Sequence, residues 1–440
     1  MRKMTEGDIT GHLLSYAVPL IFGNLLQLTY NAADSIIIGK CLGENALAAV
    51  SVANPIMTVV ILGVSGISIG ASVIMSRLYG ADEAENLKKE LSTTILFGLI
   101  FSLIVFAFGI VFSPHILTLM AVPSQAMADA VVYLRIIFVG FLFTFQYNIM
   151  SGALRSVGDS KTPVLFLGIS SALNIGMDLL FVYVMNMGVA GAALATDIAE
   201  GISAVLCLNL VYRKIPALQL KKKDLVIDIP LLKETLVCGS LTALQQAAQP
   251  IGKVLIQSVI NSQGVTAIGA FNAVCRIDDF ARIPTQSIGN AVMTCVAQNR
   301  GAGKTERVKE TLNKGLKIAI FYYPLICALT LILKTPLMKL LSPDESRTMV
   351  EIGAAYLSVK AWMFIMPGFT NALQGYFRGI EKMRITLYAT LIQISLRTVF
   401  VYVLVPKIGI TGEAYASLIG WALMLLYEYP LYFKNIRSRN

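Results

Sequence analysis

Gly188-Val189-Ala190-Gly191-Ala192-Ala193-Leu194-Ala195-Thr196 is answered 221 residues later by Gly409-Ile410-Thr411-Gly412-Glu413-Ala414-Tyr415-Ala416-Ser417. The offset is close to half the chain, and it recurs. Gly43, Ala46 and Ala49 face Gly264, Ala267 and Ala270, while Gly80-Ala81 faces Gly301-Ala302. With two residues of slippage, Gly152-Ala153-Leu154-Arg155 faces Gly375-Tyr376-Phe377-Arg378, and Asn148 faces Asn371. Four separated matches at nearly one offset mark an internal duplication. Small residues dominate the matched positions, which suits close helix packing in lipid. That packing role accounts for the glycines without any direct function.

The solvent of the duplicated unit follows from composition. The 440 residues are 56% hydrophobic and 14% charged, with a mean hydropathy of +0.69. Soluble domains carry about 25% charged residues. Apolar runs of bilayer-crossing length fall near 14–38, 50–75, 91–113, 131–153, 163–184, 189–212, 235–260, 271–295, 314–334, 352–374, 385–405 and 409–433. The first run is too long for a signal-peptide core and no cleavage site follows it, so it reads as a span. The expected fold is an all-α membrane protein of twelve transmembrane helices in two parallel six-helix repeats, 1–220 and 221–440. Six spans per repeat bring both halves in from the same side, and sites in such proteins lie near mid-membrane around a central cavity.

A net charge of +10 raises the question of nucleic acid. With the amino terminus inside, cytoplasmic segments collect 25 of the 36 Lys and Arg residues, the opposite side five and the spans six. That is the positive-inside bias. It explains the basicity, excludes a nucleic-acid partner and places both termini in the cytoplasm. The Leu218 to Lys223 run suits anionic lipid headgroups and serves equally as a solvated topology signal. Six scattered cysteines without a CxxC pair and only two histidines, His12 and His115, argue against a disulfide framework or a metal enzyme. Neither GxxxxGK[ST] nor GxGxxG after a strand is present, so the energy source is expected to be an ion gradient, not ATP, and no cofactor is expected.

Charged groups inside apolar spans carry the functional reading. An ionised carboxylate at mid-bilayer costs about 2.5–3.5 kcal/mol on insertion scales. Asp34 and Asp178 therefore need a cation, a proton or a water-filled cavity. Asn174 and Asp178 are four apart and share a helix face, and Thr196 offers a hydroxyl oxygen of the kind hard cations prefer. Asp197 and Glu200 either join this acidic cluster or sit nearer the cytoplasmic end beside Arg213. In the seventh span Gln245, Gln249, Lys253 and Gln257 recur every four residues, a polar stripe expected to line a cavity or an interlobe contact. Lys253 pairs with an unidentified acid, titrates, or meets a neutral or anionic substrate. Trp362, Met363, Phe364 and Met366 suit a drug pocket or ordinary packing.

The sequence resembles the multidrug and toxic compound extrusion (MATE) transporters over nearly its whole length. The resemblance rests on Pro19, on Asn31-Ala32-Ala33-Asp34 followed by Gly39 and Leu42-Gly43 to Ala48-Ala49, and on Gly152 to Asp159 with Pro163. Asn174 to Asp178 and Gly188 to Thr196 complete it. It implies two six-helix lobes that exchange cations for exported, often cationic, drugs. It also implies an ion-coupling set of Asp34, Asn174, Asp178, Ala192 and Thr196, with sodium possible at Asp34, Asn174, Asp178 and Thr196. Some members carry an acid on the tenth helix, where this chain has Asn371-Ala372-Leu373-Gln374 before Arg378-Gly379. An amide replaces that acid, which leaves the first lobe as the better ion site. Asn31, Asn148, Gln245, Gln249, Lys253, Asn371 and Gln374 are the expected substrate-cavity residues.

The leading expectation is a monomeric antiporter of the bacterial cytoplasmic membrane that exports small organic, cationic or amphipathic compounds against protons or sodium. A flippase for a lipid-linked precursor is the alternative, favoured if Lys253 and Arg135 faced one cavity. A membrane enzyme lacks a convergent catalytic constellation. Buried carboxylates in one lobe only argue against a symmetric channel.

Overall fold

The computed structural model describes residues 3–342 and 346–437. Its helices are α1 (Ile9–Leu42), α2 (Glu44–Gly80), α3 (Ala84–Leu119), α4 (Ser124–Ser156), α5 (Lys161–Asp178), α6 (Gly188–Lys214) and α7 (Ile229–Asn261). They continue with α8 (Val265–Gly301), α9 (Thr305–Leu341), α10 (Arg347–Ala361), α11 (Ile365–Gly379), α12 (Met383–Ile408) and α13 (Thr411–Arg437). No strand occurs among the described residues. Each of the twelve expected spans has its helix. The tenth is broken into α10 and α11, bent by 51°.

Among the described residues, eight helices are long and apolar enough to cross a bilayer by themselves, and the bent pair makes a ninth. The remaining spans, α7, α8 and α13, are the more polar ones; α8 carries Arg276, Asp278, Asp279 and Arg282 within two turns. Helices outrun their apolar windows. α3 starts at Ala84, ahead of its apolar window, because Glu85, Lys88 and Lys89 continue its first turns in an aqueous or interfacial setting.

The duplication is visible in the backbone. Four pairs of turns with positive φ recur at the repeat offset: Gly43 (82°) with Gly264 (90°), Asp82 (58°) with Gly303 (70°), Gly158 (83°) with Glu381 (61°), and Gly188 (63°) with Gly409 (68°). Where the residue is not glycine, at Asp82 and Glu381, the same left-handed geometry is held at a steric cost. The turns are inherited along with the helices.

The chain forms two compact units. One comprises Met1–Lys3 with Pro19–Ala243, the other Met4–Val18 with Leu244–Asn440. The folded division thus differs from the linker boundary at 220/221, because the first turns of α1 and α7 each pack in the other half's unit. In the carboxy-terminal unit, Met4 N donates to Gln298 Oε1 at 2.9 Å, Asn299 Nδ2 donates to Met4 O at 3.1 Å, and Tyr16 bonds Thr294 at 3.0 Å. Asp8 caps α1 there: Gly11 N and Thr10 N donate to its carboxylate, and these bonds hold it below the usual carboxylate range. The amino-terminal unit receives α7 in the same manner. Val226 N and Asp228 N donate to Ser92 Oγ and Thr93 Oγ1, both at 2.9 Å. Thr235 donates to buried Glu90 at 2.5 Å, and Arg77 pairs with Glu234 at 2.7 Å.

Within the amino-terminal unit, α2 and α7 cross on glycine. A Cβ on Gly239 would lie 2.7 Å from Ile67 Cα, and one on Gly70 would lie 2.7 Å from Gly239 N. Backbone meets backbone with no side chain free to yield, as in small-residue crossings of membrane helices. Gly239→Val is therefore expected to cost about 1–3 kcal/mol of stability, the usual price of overpacking. In a detergent melting assay it should lower the unfolding temperature, whereas Gly63→Ala, with open space around its Cβ, should not.

Candidate functional site

α5 ends at Asp178 and the chain runs on as a π-helical turn, Leu179–Val184, before α6 begins at Gly188. Such wide turns are frequent at functional sites. They re-aim the side chains that follow without ending the helix. On α5, Asn174 and Asp178 point to one face and are both buried. With its amide oriented by its neighbours, Asn174 Nδ2 donates to Asp178 Oδ2 at 2.9 Å. Its Oδ1 accepts from Thr196 N at 3.1 Å and from Thr196 Oγ1 at 3.2 Å. Thr196 Oγ1 is also within 3.2 Å of the Ala192 carbonyl, one turn earlier on α6. From α1, Asp34 brings its carboxyl group against that of Asp178, and Tyr30 reaches Thr196.

The five expected ion-coupling residues thus meet: Asp34, Asn174, Asp178 and Thr196 through side chains, Ala192 through its backbone carbonyl. Sequence reasoning missed Tyr30 and Thr144, since single hydroxyls in spans are too common to stand out. The question left open for Asp197 and Glu200 has a geometric answer. Asp197 turns onto α4, where Gly140 leaves room for its carboxyl; a Cβ on Gly140 would lie 1.9 Å from Asp197 Oδ1. Glu200 accepts from the Thr144 hydroxyl and faces inward.

Asn174, Thr196 and Glu200 border a cavity of about 220 Å³ inside the amino-terminal unit. Tyr30, Asn148 and Arg155 are among its other polar lining residues. Among the described residues, none of Asp34, Asp178, Asp197 and Glu200 forms an ion pair. Asp178 Oδ1 is buried without a hydrogen-bond partner. Two carboxyl groups in contact at this depth hold one negative charge between them unless a cation neutralises both. No cluster of three or more His, Cys, Asp or Glu side chains suited to a metal occurs among the described residues. The oxygens gathered here are those of two carboxyls, an amide, a hydroxyl and a backbone carbonyl.

The expected substrate-cavity residues fall in separate surroundings. Asn148 donates to Thr144 O at 2.8 Å and lines the amino-terminal cavity. The side chain of Asn31 lies outside the described residues. In the carboxy-terminal unit Gln245 and Gln374 come together: Gln245 Nε2 donates to Gln374 Oε1 at 3.0 Å and to Thr390 at 2.8 Å, while Arg378 donates to Gln245 Oε1 at 3.0 Å. Asn371 bonds Thr285 at 3.3 Å and the Pro367 carbonyl at 2.8 Å. Gln249 is half-buried on α7. Lys253 pairs with Asp279 on α8 at 3.4 Å, both exposed, which identifies its acid. The expectation of buried carboxylates in one lobe only is corrected. Asp278 and Glu413 are buried in the carboxy-terminal unit, where they escaped notice because their partners come from distant spans.

The MatE family model matches twice, on residues 19–180 and 242–403, once per half. The chain belongs to the MATE transporter family. It is 30% identical over 394 residues to the "Probable multidrug resistance protein YpnP" of Bacillus subtilis (strain 168), covering 88% of this chain and 86% of that one. It is 24% identical over 383 residues to the "FAD transporter" of Shewanella oneidensis, covering 85% and 84%. Its fold is similar to that of a structure described as the outward-facing conformation of a multidrug resistance MATE family transporter, with a TM-score of 0.91, 21% identity and coverage of 99% and 97%. As MATE proteins are transporters, the chain is a multi-pass membrane transporter.

The carboxyl pair has a spectroscopic consequence. In sodium-free buffer the protein should show an infrared carbonyl band of a protonated carboxyl that vanishes in both Asp34→Asn and Asp178→Asn. An unchanged band in both variants would place the proton elsewhere.

Proposed function

We propose that this MATE protein is a secondary active antiporter that exports small organic, cationic or amphipathic compounds in exchange for protons or sodium ions. The observation that carries the reading is the carboxyl contact between Asp34 and Asp178, unaccompanied by any basic partner among the described residues. Such a site cannot rest with both groups ionised. It takes a proton, or a hard cation held by the oxygens of Asp34, Asp178, Asn174, Thr196 and the Ala192 carbonyl. A cationic cargo entering the adjacent cavity, with Glu200 on its wall, relieves the same charge. Ion and cargo then compete for one electrostatic vacancy, which is the requirement for exchange. The protein is read as a monomer of the bacterial cytoplasmic membrane with both termini inside.

The name of the YpnP relative supports a drug-like cargo. The FAD transporter's name points to an anionic one; the cavity wall carries both Glu200 and Arg155, and the carboxyl pair of Asp34 and Asp178 beside it favours a cation over an anion. The lipid-precursor reading leaned on a free cation at Lys253, and Asp279 takes up that charge.

Transport by reconstituted vesicles under imposed proton or sodium gradients tests the reading. Wild-type protein should move tetraphenylphosphonium up its gradient against one of the two ions, and FAD poorly. Asp34→Asn should fall to the leak of empty vesicles. Equal gradient-driven transport by both proteins would remove Asp34 from the mechanism.

A further inference from the structure

Glu413 stands where the first repeat has Ala192, and Ser417 where it has Thr196. The polar contact between the paired helices persists with changed chemistry. In the first unit Asn174 on α5 meets Thr196 on α6; in the second, Arg397 on α12 donates to Glu413 on α13, with its Nε at 3.0 Å. Ser417 Oγ donates to the same carboxylate at 2.7 Å, and the Tyr356 hydroxyl donates to its other oxygen.

Into this setting α10 inserts Lys360, whose side chain is 2% exposed. Its ammonium lies 3.3 Å from Asp278 Oδ2, 3.5 Å from Glu413 Oε2 and 3.2 Å from Tyr356 Oη. Three N–H donors meet three oxygens, contributed by α8, α13 and α10 itself. A lysine ammonium is a compact point charge, and here it is surrounded by oxygens as a small hard cation would be. The buried charges close among themselves: Asp278 and Glu413 against Lys360 and Arg397. Arg282 stands at the margin, 3.8 Å from Asp278. Asp278 Oδ1 is buried with no partner, so the site retains unused oxygen. Lys360 also sits just before the break between α10 and α11, where Met363 N bonds its carbonyl at 2.9 Å.

We propose that Lys360 is a tethered counter-ion: it fills, in the carboxy-terminal unit, a monovalent-cation site built of carboxyl and phenol oxygens. The amino-terminal unit has a set of related chemistry but, among the described residues, no such tethered cation in ion-pair contact with its carboxyls. The consequence for transport, that one unit exchanges ions and the other carries its own, rests on the reading of the Asp34–Asp178 pair given above. The occupancy of the second site by Lys360 rests on the geometry of that site alone.

The test is a melting assay on the full-length purified protein, with sodium chloride exchanged for choline chloride at constant ionic strength. Lys360→Met should melt well below wild type in choline. Sodium should restore most of the loss, beyond any shift that sodium gives the wild type. Lys360→Met combined with Asp278→Asn removes one charge of each sign and should recover stability without sodium. A Lys360→Met protein that is destabilised yet no more responsive to sodium than wild type would make Lys360 an ordinary structural ion-pair partner and overturn the proposal. Should Lys360→Met fail to fold, the double variant decides: a folded, sodium-indifferent protein supports the proposal, and one that also fails to fold contradicts it. The transport assay with Asp34→Asn reads the other unit, so the two claims can fail separately.

Discussion

An acid at the depth of a membrane must have its charge answered, and the two halves of this protein answer it differently. In the amino-terminal unit Asp34 and Asp178 lie against one another, Glu200 faces the cavity and Asp197 is lodged against α4, with no ion pair to any of them among the described residues. In the carboxy-terminal unit Asp278 and Glu413 are answered in place by Lys360 and Arg397. A buried pair of this kind is weak evidence of stability, but removing one partner alone is costly. The first arrangement demands something mobile. The second does not.

The duplicated scaffold makes that contrast possible. Turns with positive φ at matched positions keep the helices of the two units in equivalent order, and the segments entering α1 and α7 are each anchored by backbone N–H groups on side chains of the unit that receives them. On this shared frame a few substitutions, Ala192 against Glu413 and Thr196 against Ser417, change an open oxygen site into a closed ion-pair network. The π-helical turn after Asp178 lies in the first unit, where the open site is.

How much could be read from the chain depended on whether the signal was local. Twelve spans, the repeat and the positive-inside bias follow from hydropathy and spacing. Asp34 and Asp178 stood out because they interrupt apolar runs, and the four-residue step from Asn174 fixed their shared face. Glu200 and Asp197 could not be told apart, since only the absence of a side chain at Gly140, on another helix, draws Asp197 away. The second network was harder still. Asp278, Lys360, Arg397 and Glu413 lie in four different spans, and none of them occupies the Asn371 position where the family pattern has its acid. Charge pairing across helices is a property of the packed structure and leaves no periodicity behind.

The central claim is that ion and cargo neutralise the same negative charge in the amino-terminal unit. Equilibrium binding of tetraphenylphosphonium to the purified protein, followed by calorimetry at several pH values and sodium concentrations, tests it most directly. Binding should weaken as either protons or sodium are added, and that competition should be lost when Asp34 and Asp178 are both replaced by Asn. Binding that is indifferent to both ions in the wild type would contradict the account.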